Sequence, residues 1–227
     1  MKSLYICGDS FSHSDPEYGF CWVDILTSKL DGKFSVVNLS RVCASNLQIS
    51  TQVDKAIANS ADFIIYLMTA STREEVIHNS KVDKPIWERF TDITNKQSST
   101  DLTSYSIFSL DHTTILSAQQ LTLLKEFHSE FFDIDLTIYK NELIIEGVLS
   151  RLAQSGIPFV YDQGGFENPK FSGTKDKIYF EKYLKNKSAI NLWNFVHVKK
   201  HRPYYHIEDA LIHKHIANYY FDLLNET

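Results

Sequence analysis

The sequence predicts an α/β protein with a mostly parallel sheet of about five strands. Three apolar runs, at residues 4–7, 34–39 and 63–68, have the length of strands, and the third is typical of a strand that is buried on both faces. Stretches with helical spacing of apolar residues separate these runs. This alternation of strands and helices predicts a parallel sheet whose crossovers are right-handed.

Each helix between the strands is predicted from its apolar spacing and its end signals. The first has four apolar residues on one side and ends near Asp31-Gly32. The second begins at Ser45 or Asn46, which suit an N-cap. The apolar positions of the two helices are, in order, Phe20, Val23, Leu26 and Leu30, then Ile49, Val53 and Ile57.

The second half of the chain predicts further helices and two more strands. A long helical region covers about 118–153, with a break near 133–135, and a fourth strand covers 157–161. A helix at 175–184 and a short fifth strand within 190–198 follow. The C-terminal helix carries Ile212, Ile216, Tyr219 and Leu223 on one side.

A polar stretch with isolated aromatic residues interrupts the alternation at about 81–116. It is rich in Ser, Thr and Asp and contains Trp87, Phe90, Tyr105 and Phe108. Long connections of this kind are typically functional or disordered. We interpret the stretch as an insertion in a single domain of residues 1–227, forming a lid with Trp87 or a neighbouring aromatic facing the site.

Composition excludes several classes of protein. The net charge is −5, with 23 basic and 28 acidic residues, which argues against a nucleic-acid partner. The three cysteines, Cys7, Cys21 and Cys43, lack metal-ligand spacing and fit free thiols in a reducing compartment. Neither a signal peptide nor an apolar run of about 20 residues is visible, so a cytoplasmic protein without a membrane partner is expected.

The run Gly8-Asp9-Ser10-Phe11-Ser12 directly follows the first predicted strand. Ligands of parallel α/β sheets bind beyond the carboxyl ends of the strands. A serine on such a turn can attack a carbonyl carbon and also donate its own N–H to the resulting oxyanion. The alternative is a turn that only ends the strand.

This run, followed by Trp22 and Leu26 on the first helix, closely resembles the first block of SGNH (GDSL) hydrolases, and looks closest to small stand-alone phage members. The resemblance covers most of the chain more loosely. It implies a three-layer α/β/α sandwich with a flavodoxin-like sheet, and an esterase with Ser10 as nucleophile. It also implies that Cys43, at the position of the second-block glycine, offers its backbone N–H to the oxyanion.

The third block of the family supplies an asparagine, and this chain has Thr69-Ala70-Ser71-Thr72-Arg73 there instead. Thr69 or Ser71 could donate a hydroxyl, and Asn46 could reach in from the neighbouring loop. Arg73 could hold an anionic group of the substrate, or could pair with a carboxylate at the end of the sheet. Asp9, inside the serine motif, belongs with these substrate-binding candidates.

The fifth block implies that His206 is the catalytic base. Three residues before it, where the family has Asp, stands Pro203. Asp209 is the candidate for the missing acid, and capping of the last helix is its alternative role. His213 and His215 lie two apart and face different directions on a helix, so no metal site is expected. His13 is a further residue that could line the pocket.

Two functions remain open from the sequence. The first is a serine hydrolase without a cofactor, acting on a small-molecule or carbohydrate ester such as an O-acetyl sugar. The second is a non-catalytic SGNH-fold protein that binds a glycan or a virion component. The missing asparagine and the missing Asp favour the second, whereas the intact serine motif and His206 favour the first. The oligomeric state is left open.

Overall fold

A computed structural model describes residues 1–13, 21–42, 44–77, 102–106, 118–164, 181–190, 192, 207 and 209–226. Over these residues the protein is α/β, with a parallel four-stranded sheet, an antiparallel pair of strands and five α-helices. The strands are β1 (Lys2–Cys7), β2 (Phe34–Asn38), β3 (Phe63–Leu67), β4 (Arg73–Ile77), β5 (Leu102–Ser106) and β6 (Phe159–Asp162). The helices are α1 (Trp22–Lys29), α2 (Asn46–Ala58), α3 (Ala118–Phe131), α4 (Ile134–Ser155) and α5 (Ala210–Asn225).

The four-stranded sheet has the order β2-β1-β3-β6, and every neighbouring pair is parallel. Leu4 pairs with Val36 on one side and with Phe63 on the other, and Ile64 pairs with Phe159. The predicted parallel sheet and its first four strands are therefore confirmed, with shifts of one or two residues at their ends. All five residues of β3 are buried, as a continuous apolar run predicts.

Side chains of the sheet alternate between two hydrophobic cores. In β1, Leu4 and Ile6 contribute to a core shared with α1 and α5. Tyr5 and Cys7 contribute to the other core, which α2 and α4 share. Successive residues of a strand point to opposite faces, so each face of the sheet is covered by its own pair of helices.

The predicted helix boundaries are set by side-chain caps. Ser45 accepts a hydrogen bond from the backbone N–H of Gln48, whose side chain accepts one in return from the N–H of Ser45. The predicted break in the long helical region is present as well. There Asp133 caps α4 by accepting from the backbone N–H of Leu136 at 2.9 Å, and α3 ends two residues before it.

Three features differ from the sequence prediction. Arg73 begins strand β4, which pairs antiparallel with β5, although the sequence predicted a loop and an insertion there. Residues Glu181–Asn186 form a 3₁₀ helix where the end of an α-helix was predicted. Ile212, Ile216, Tyr219 and Leu223 of α5 face the core as predicted, but the buried side also includes His213, Ala217, Tyr220 and Leu224, which the sequence prediction did not name.

The remaining predictions for the fold lie mainly outside the described residues. These are residues 175–180 of the predicted helix, most of the fifth strand at 190–198, and the lid with Trp87, of which the structure describes only β5. None of the helices in the described part combines the length and apolar character that crossing a bilayer requires.

Candidate functional site

The candidate site lies at the carboxyl edge of the parallel sheet. Residues 8–13 leave β1 there, residues 39–42 leave β2, and residues 68–72 leave β3. Because β1 is hydrogen-bonded to both β2 and β3, the three connections meet beside one another. The Ser10 motif thus occupies the position where parallel sheets bind ligands.

Ser10 lies on a tight turn and is half-buried. The N–H of Ser12 donates to the carbonyl of Asp9 at 3.2 Å, and the N–H of His13 donates to the carbonyl of Ser10 at 3.4 Å. Neither the hydroxyl nor the N–H of Ser10 forms a hydrogen bond with another residue in the described part of the chain. Among the described residues, both groups that the serine motif needs therefore lack a protein partner.

Gly8 is held by a buried side chain of helix α2. The Gln52 amide accepts from the N–H of Gly8 at 2.8 Å and donates to its carbonyl at 3.2 Å. A β-carbon on Gly8 would lie 2.5 Å from the Ser12 hydroxyl oxygen and 3.1 Å from Cβ of Leu67. Glycine is thus required at this position by close packing, which keeps the turn against the end of β3.

Asp9 is fully buried and connects the Ser10 turn to the loop after β3. Its Oδ1 accepts from the backbone N–H of Phe11 at 3.1 Å. Its Oδ2 accepts from the Thr69 hydroxyl at 2.7 Å and lies 3.3 Å from Nη1 of Arg73. The structure therefore brings together three predicted site residues. Thr69 and Arg73 both contact the Asp9 carboxylate in it.

Arg73 is also buried, with 8% of its surface exposed. The same Nη1 that faces Asp9 donates to the carbonyl of Ala44 at 2.7 Å. Of the two roles considered for Arg73, the ion pair with a carboxylate at the end of the sheet is the one observed. Through Arg73, the Ser10 turn is tied to the loop that precedes α2.

Asn46 uses its whole amide inside the protein. Its Oδ1 accepts from the N–H of Thr69 at 3.0 Å, and its Nδ2 donates to the Thr69 carbonyl at 3.1 Å and to Oδ1 of Asn141 at 2.9 Å. In this conformation Asn46 fixes the backbone after β3. Contact of Asn46, Thr69 or Arg73 with a substrate stays a prediction.

Two of the proposed catalytic residues, Cys43 and His206, lie outside the described residues. Asp209 is exposed, and its Oδ1 accepts from the N–H of Leu211 at 2.7 Å as the N-cap of α5. The capping role weighed for Asp209 is thus present. Its orientation of His206 stays a prediction.

His213 belongs to the core. Its Nδ1 accepts from the N–H of Trp22 at 3.0 Å, and its Nε2 lies 2.9 Å from the carbonyl of Ile207. A carbonyl only accepts, so Nε2 carries the proton and the ring is neutral. Burial lowers the pKa of His213, which the nearby Ile207 carbonyl opposes only in part.

Sequence reasoning missed several polar residues that build the site. Gln52 could have been found, because it is a polar residue within the apolar stripe of α2. Asp162 ends β6. Its burial raises the pKa of its carboxyl to about 7, although the hydrogen bonds that it accepts from the backbone N–H groups of Gln163 and Leu192 lower this pKa in part. Asn141 gives no such signal, since its partners outside α4, the Asn46 amide and the Arg73 carbonyl, are distant in the sequence.

No protein-family model matches the chain, and a search of curated proteins gives no match. The resemblance to SGNH hydrolases therefore rests on the motif residues alone and stays a prediction. Within the described part of the chain, no three His, Cys, Asp or Glu side chains are grouped as a metal site requires.

Proposed function

We propose that this protein is a serine hydrolase of the SGNH type that cleaves an ester, with an O-acetyl ester of a carbohydrate as the leading candidate. The observation that carries the proposal is Ser10, whose hydroxyl and N–H form no hydrogen bond with other described residues, on a hydrogen-bonded turn at the carboxyl edge of the sheet. The proposed architecture is a three-layer sandwich with a fifth strand and a lid from residues 81–116.

In the proposed reaction the Ser10 hydroxyl attacks the ester carbonyl carbon while His206 accepts its proton. The N–H groups of Ser10 and Cys43 bind the oxyanion. His206 then gives the proton to the leaving alcohol, and water hydrolyses the acyl-enzyme by the same steps. The buried Asp9 and Arg73 pair supports this scheme, because it links the Ser10 turn to Ala44, the neighbour of Cys43.

Asp209 is the proposed acid for His206, since Pro203 cannot orient an imidazole. The variant Asp209→Asn separates this role from capping, because Asn caps a helix about as well as Asp. If Asp209 is the orienting acid, the variant loses up to roughly 10⁴-fold in turnover and keeps its melting temperature. Unchanged turnover leaves Asp209 as a cap only.

A fluorophosphonate probe tests the nucleophile directly. We expect the wild-type protein to be labelled and Ser10→Ala to lose the label, because the probe reacts with an activated serine hydroxyl. Ser28→Ala is the matched control, since Ser28 is exposed on α1 and its hydroxyl donates to the carbonyl of Asp24 at 3.0 Å. Labelling that persists in Ser10→Ala removes Ser10 from the role of nucleophile.

The second candidate function is a non-catalytic protein that binds a glycan or a virion component. This function is favoured because the side chains of Asn46, Thr69 and Arg73 donate their hydrogen bonds to other groups of the protein. In this conformation none of these three residues donates a side-chain hydrogen bond to an oxyanion. A folded wild-type protein that takes no label, yet binds a glycan array, supports this alternative.

A further inference from the structure

His13 follows Ser10 by three residues and has a defined ring orientation. Its Nδ1 lies 3.1 Å from the backbone carbonyl of Ser40. Because a carbonyl oxygen can only accept, Nδ1 carries the hydrogen in the neutral ring and Nε2 carries a lone pair. No residue in the described ranges hydrogen-bonds to Nε2, and the side chain is half-buried.

The carbonyl that orients His13 is itself held in place. The Ser12 hydroxyl donates to the Ser40 hydroxyl at 2.8 Å, and the N–H of Ser40 donates to Oδ1 of Asn38 at 3.0 Å. Asn38 in turn donates from Nδ2 to the Ser12 carbonyl at 2.7 Å. The turn that carries Ser10 and His13 is thereby joined to the end of β2, and the imidazole has a fixed support.

The backbone of the turn brings Ser10 and His13 close to each other. Its two successive hydrogen bonds, from Ser12 to Asp9 and from His13 to Ser10, each span three residues. The second of these bonds, 3.4 Å long, joins the backbones of Ser10 and His13 directly. A group bound at the Ser10 hydroxyl thus lies within reach of a neighbouring imidazole.

We propose that Nε2 of His13 accepts a hydrogen bond from a hydroxyl of the substrate, so that the site selects esters that carry free hydroxyl groups over alkyl esters. This inference rests on the proposed hydrolase function and assigns His13 to binding, with proton transfer left to His206. A substrate without the hydroxyl leaves the fixed lone pair desolvated and unpaired, which weakens its binding.

Two acetyl esters test the inference: methyl 6-O-acetyl-glucopyranoside and its 2,3,4-tri-O-methyl ether, which lacks hydroxyl donors. We expect the wild type to prefer the free sugar by about tenfold in kcat/KM, mostly through KM. His13→Phe should lose most of this preference. His13→Gln, with an amide oxygen near the position of Nε2, should keep part of it.

The ratio of the two kcat/KM values separates binding from support. Loss of the bond to Ser40 alone disturbs the turn for both esters, so the ratio stays constant while both rates fall. A ratio that is unchanged in His13→Phe therefore overturns the role of His13 and leaves the hydrolase intact. If the wild type hydrolyses neither ester and Ser10 takes no fluorophosphonate, the proposed function fails and this inference fails with it.

Discussion

At the scale of single residues, Gly8 controls the geometry of the serine turn. An added methyl group meets the Ser12 hydroxyl oxygen at 2.5 Å and the Leu67 side chain at 3.1 Å. We expect Gly8→Ala to lower the free energy of unfolding by about 1–3 kcal/mol, as overpacking does, and to slow labelling of Ser10. Urea denaturation and the rate of fluorophosphonate labelling check the two effects.

Gly147 provides the matched control for Gly8. It lies in the middle of α4, and the nearest atom to an added β-carbon is the flexible end of Arg151 at 3.5 Å. Gly147→Ala should therefore stabilise the protein by up to about 1 kcal/mol, because alanine favours a helix over glycine. Equal effects of the two substitutions would contradict the packing argument at Gly8.

The buried pair of Asp9 and Arg73 gives a second prediction at this scale. Arg73→Met leaves the Asp9 carboxylate buried without its cation, so we expect a loss of about 3–5 kcal/mol in the free energy of unfolding. Asp9→Asn combined with Arg73→Met should recover a large part of this loss. Urea denaturation of the two single variants and the double variant measures the coupling.

The exposed pair of Arg151 and Asp54 serves as the comparison for the buried one. These groups are 2.8 Å apart, but their side chains are 43% and 53% exposed. Arg151→Met should cost less than about 1 kcal/mol, because water screens the pair. A cost for Arg73→Met that is no larger than this would show that the buried pair does not hold the loops together.

Local sequence predicted the position of Ser10 but not the partners of its neighbours. The Gly8-Asp9-Ser10 run follows an apolar strand, so the turn and its place at the sheet edge could be predicted from adjacent residues. The contacts of Asp9 with Thr69 and Arg73 span about sixty residues of chain. They depend on how three loops pack, which no local pattern contains.

At the scale of elements, the N-terminus of α1 depends on a side chain of α5. The first N–H groups of a helix have no partner within it, and His213 accepts from that of Trp22. A protonated imidazole could not accept this bond and would face the positive end of the α1 dipole. The junction between the two helices therefore requires a neutral ring.

This requirement makes the stability of the protein depend on pH. Since the pKa of His213 is lowered by burial, the unfolded chain binds the proton more readily than the folded chain. The stabilisation is present above the unfolded pKa of about 6.5 and is lost as the pH falls below it. We expect His213→Asn, which retains an acceptor near the position of Nδ1, to lack this contribution to the pH dependence.

Urea denaturation at pH 7 and pH 5 measures the effect. The difference in unfolding free energy between wild type and His213→Asn should shrink or reverse at pH 5. His215→Asn is the control, because His215 is exposed on the same helix. A difference that is the same at both pH values would contradict a neutral cap at the start of α1.

The strands and helices could be predicted where the apolar residues of a segment followed a single pattern, either a continuous run or a helical spacing. Continuous apolar runs predicted β1, β2 and β3, an N-cap at Ser45 or Asn46 predicted the start of α2, and the break near 133–135 predicted the division between α3 and α4. Strand β4 was missed because Arg73-Glu74-Glu75 carries no apolar alternation, and its pairing with β5 closes a long loop. The burial of His213 on α5 was missed because it depends on Trp22, a residue of another helix.

At the scale of the whole molecule, the sheet separates the two cores, and β3, one of its two inner strands, is buried along its whole length. Strand β3 is hydrogen-bonded to β1 and β6, and its five residues are all buried. In contrast, none of the fourteen residues of α3 is buried, and Leu123, Phe127 and Phe131 are at least half exposed. Stability is thus concentrated in the sheet.

Because β3 is buried and paired on both sides, the exchange of its backbone hydrogens with deuterated solvent should differ from that of α3. An amide of β3 can exchange only when the neighbouring strands separate, so its exchange free energy should equal the free energy of global unfolding. Amides of α3 should exchange through fraying of that helix alone, since helices of this length are marginal without packing. Added urea should therefore speed exchange steeply in β3 and only weakly in α3, and mass spectrometry of peptides from the two segments would record the contrast.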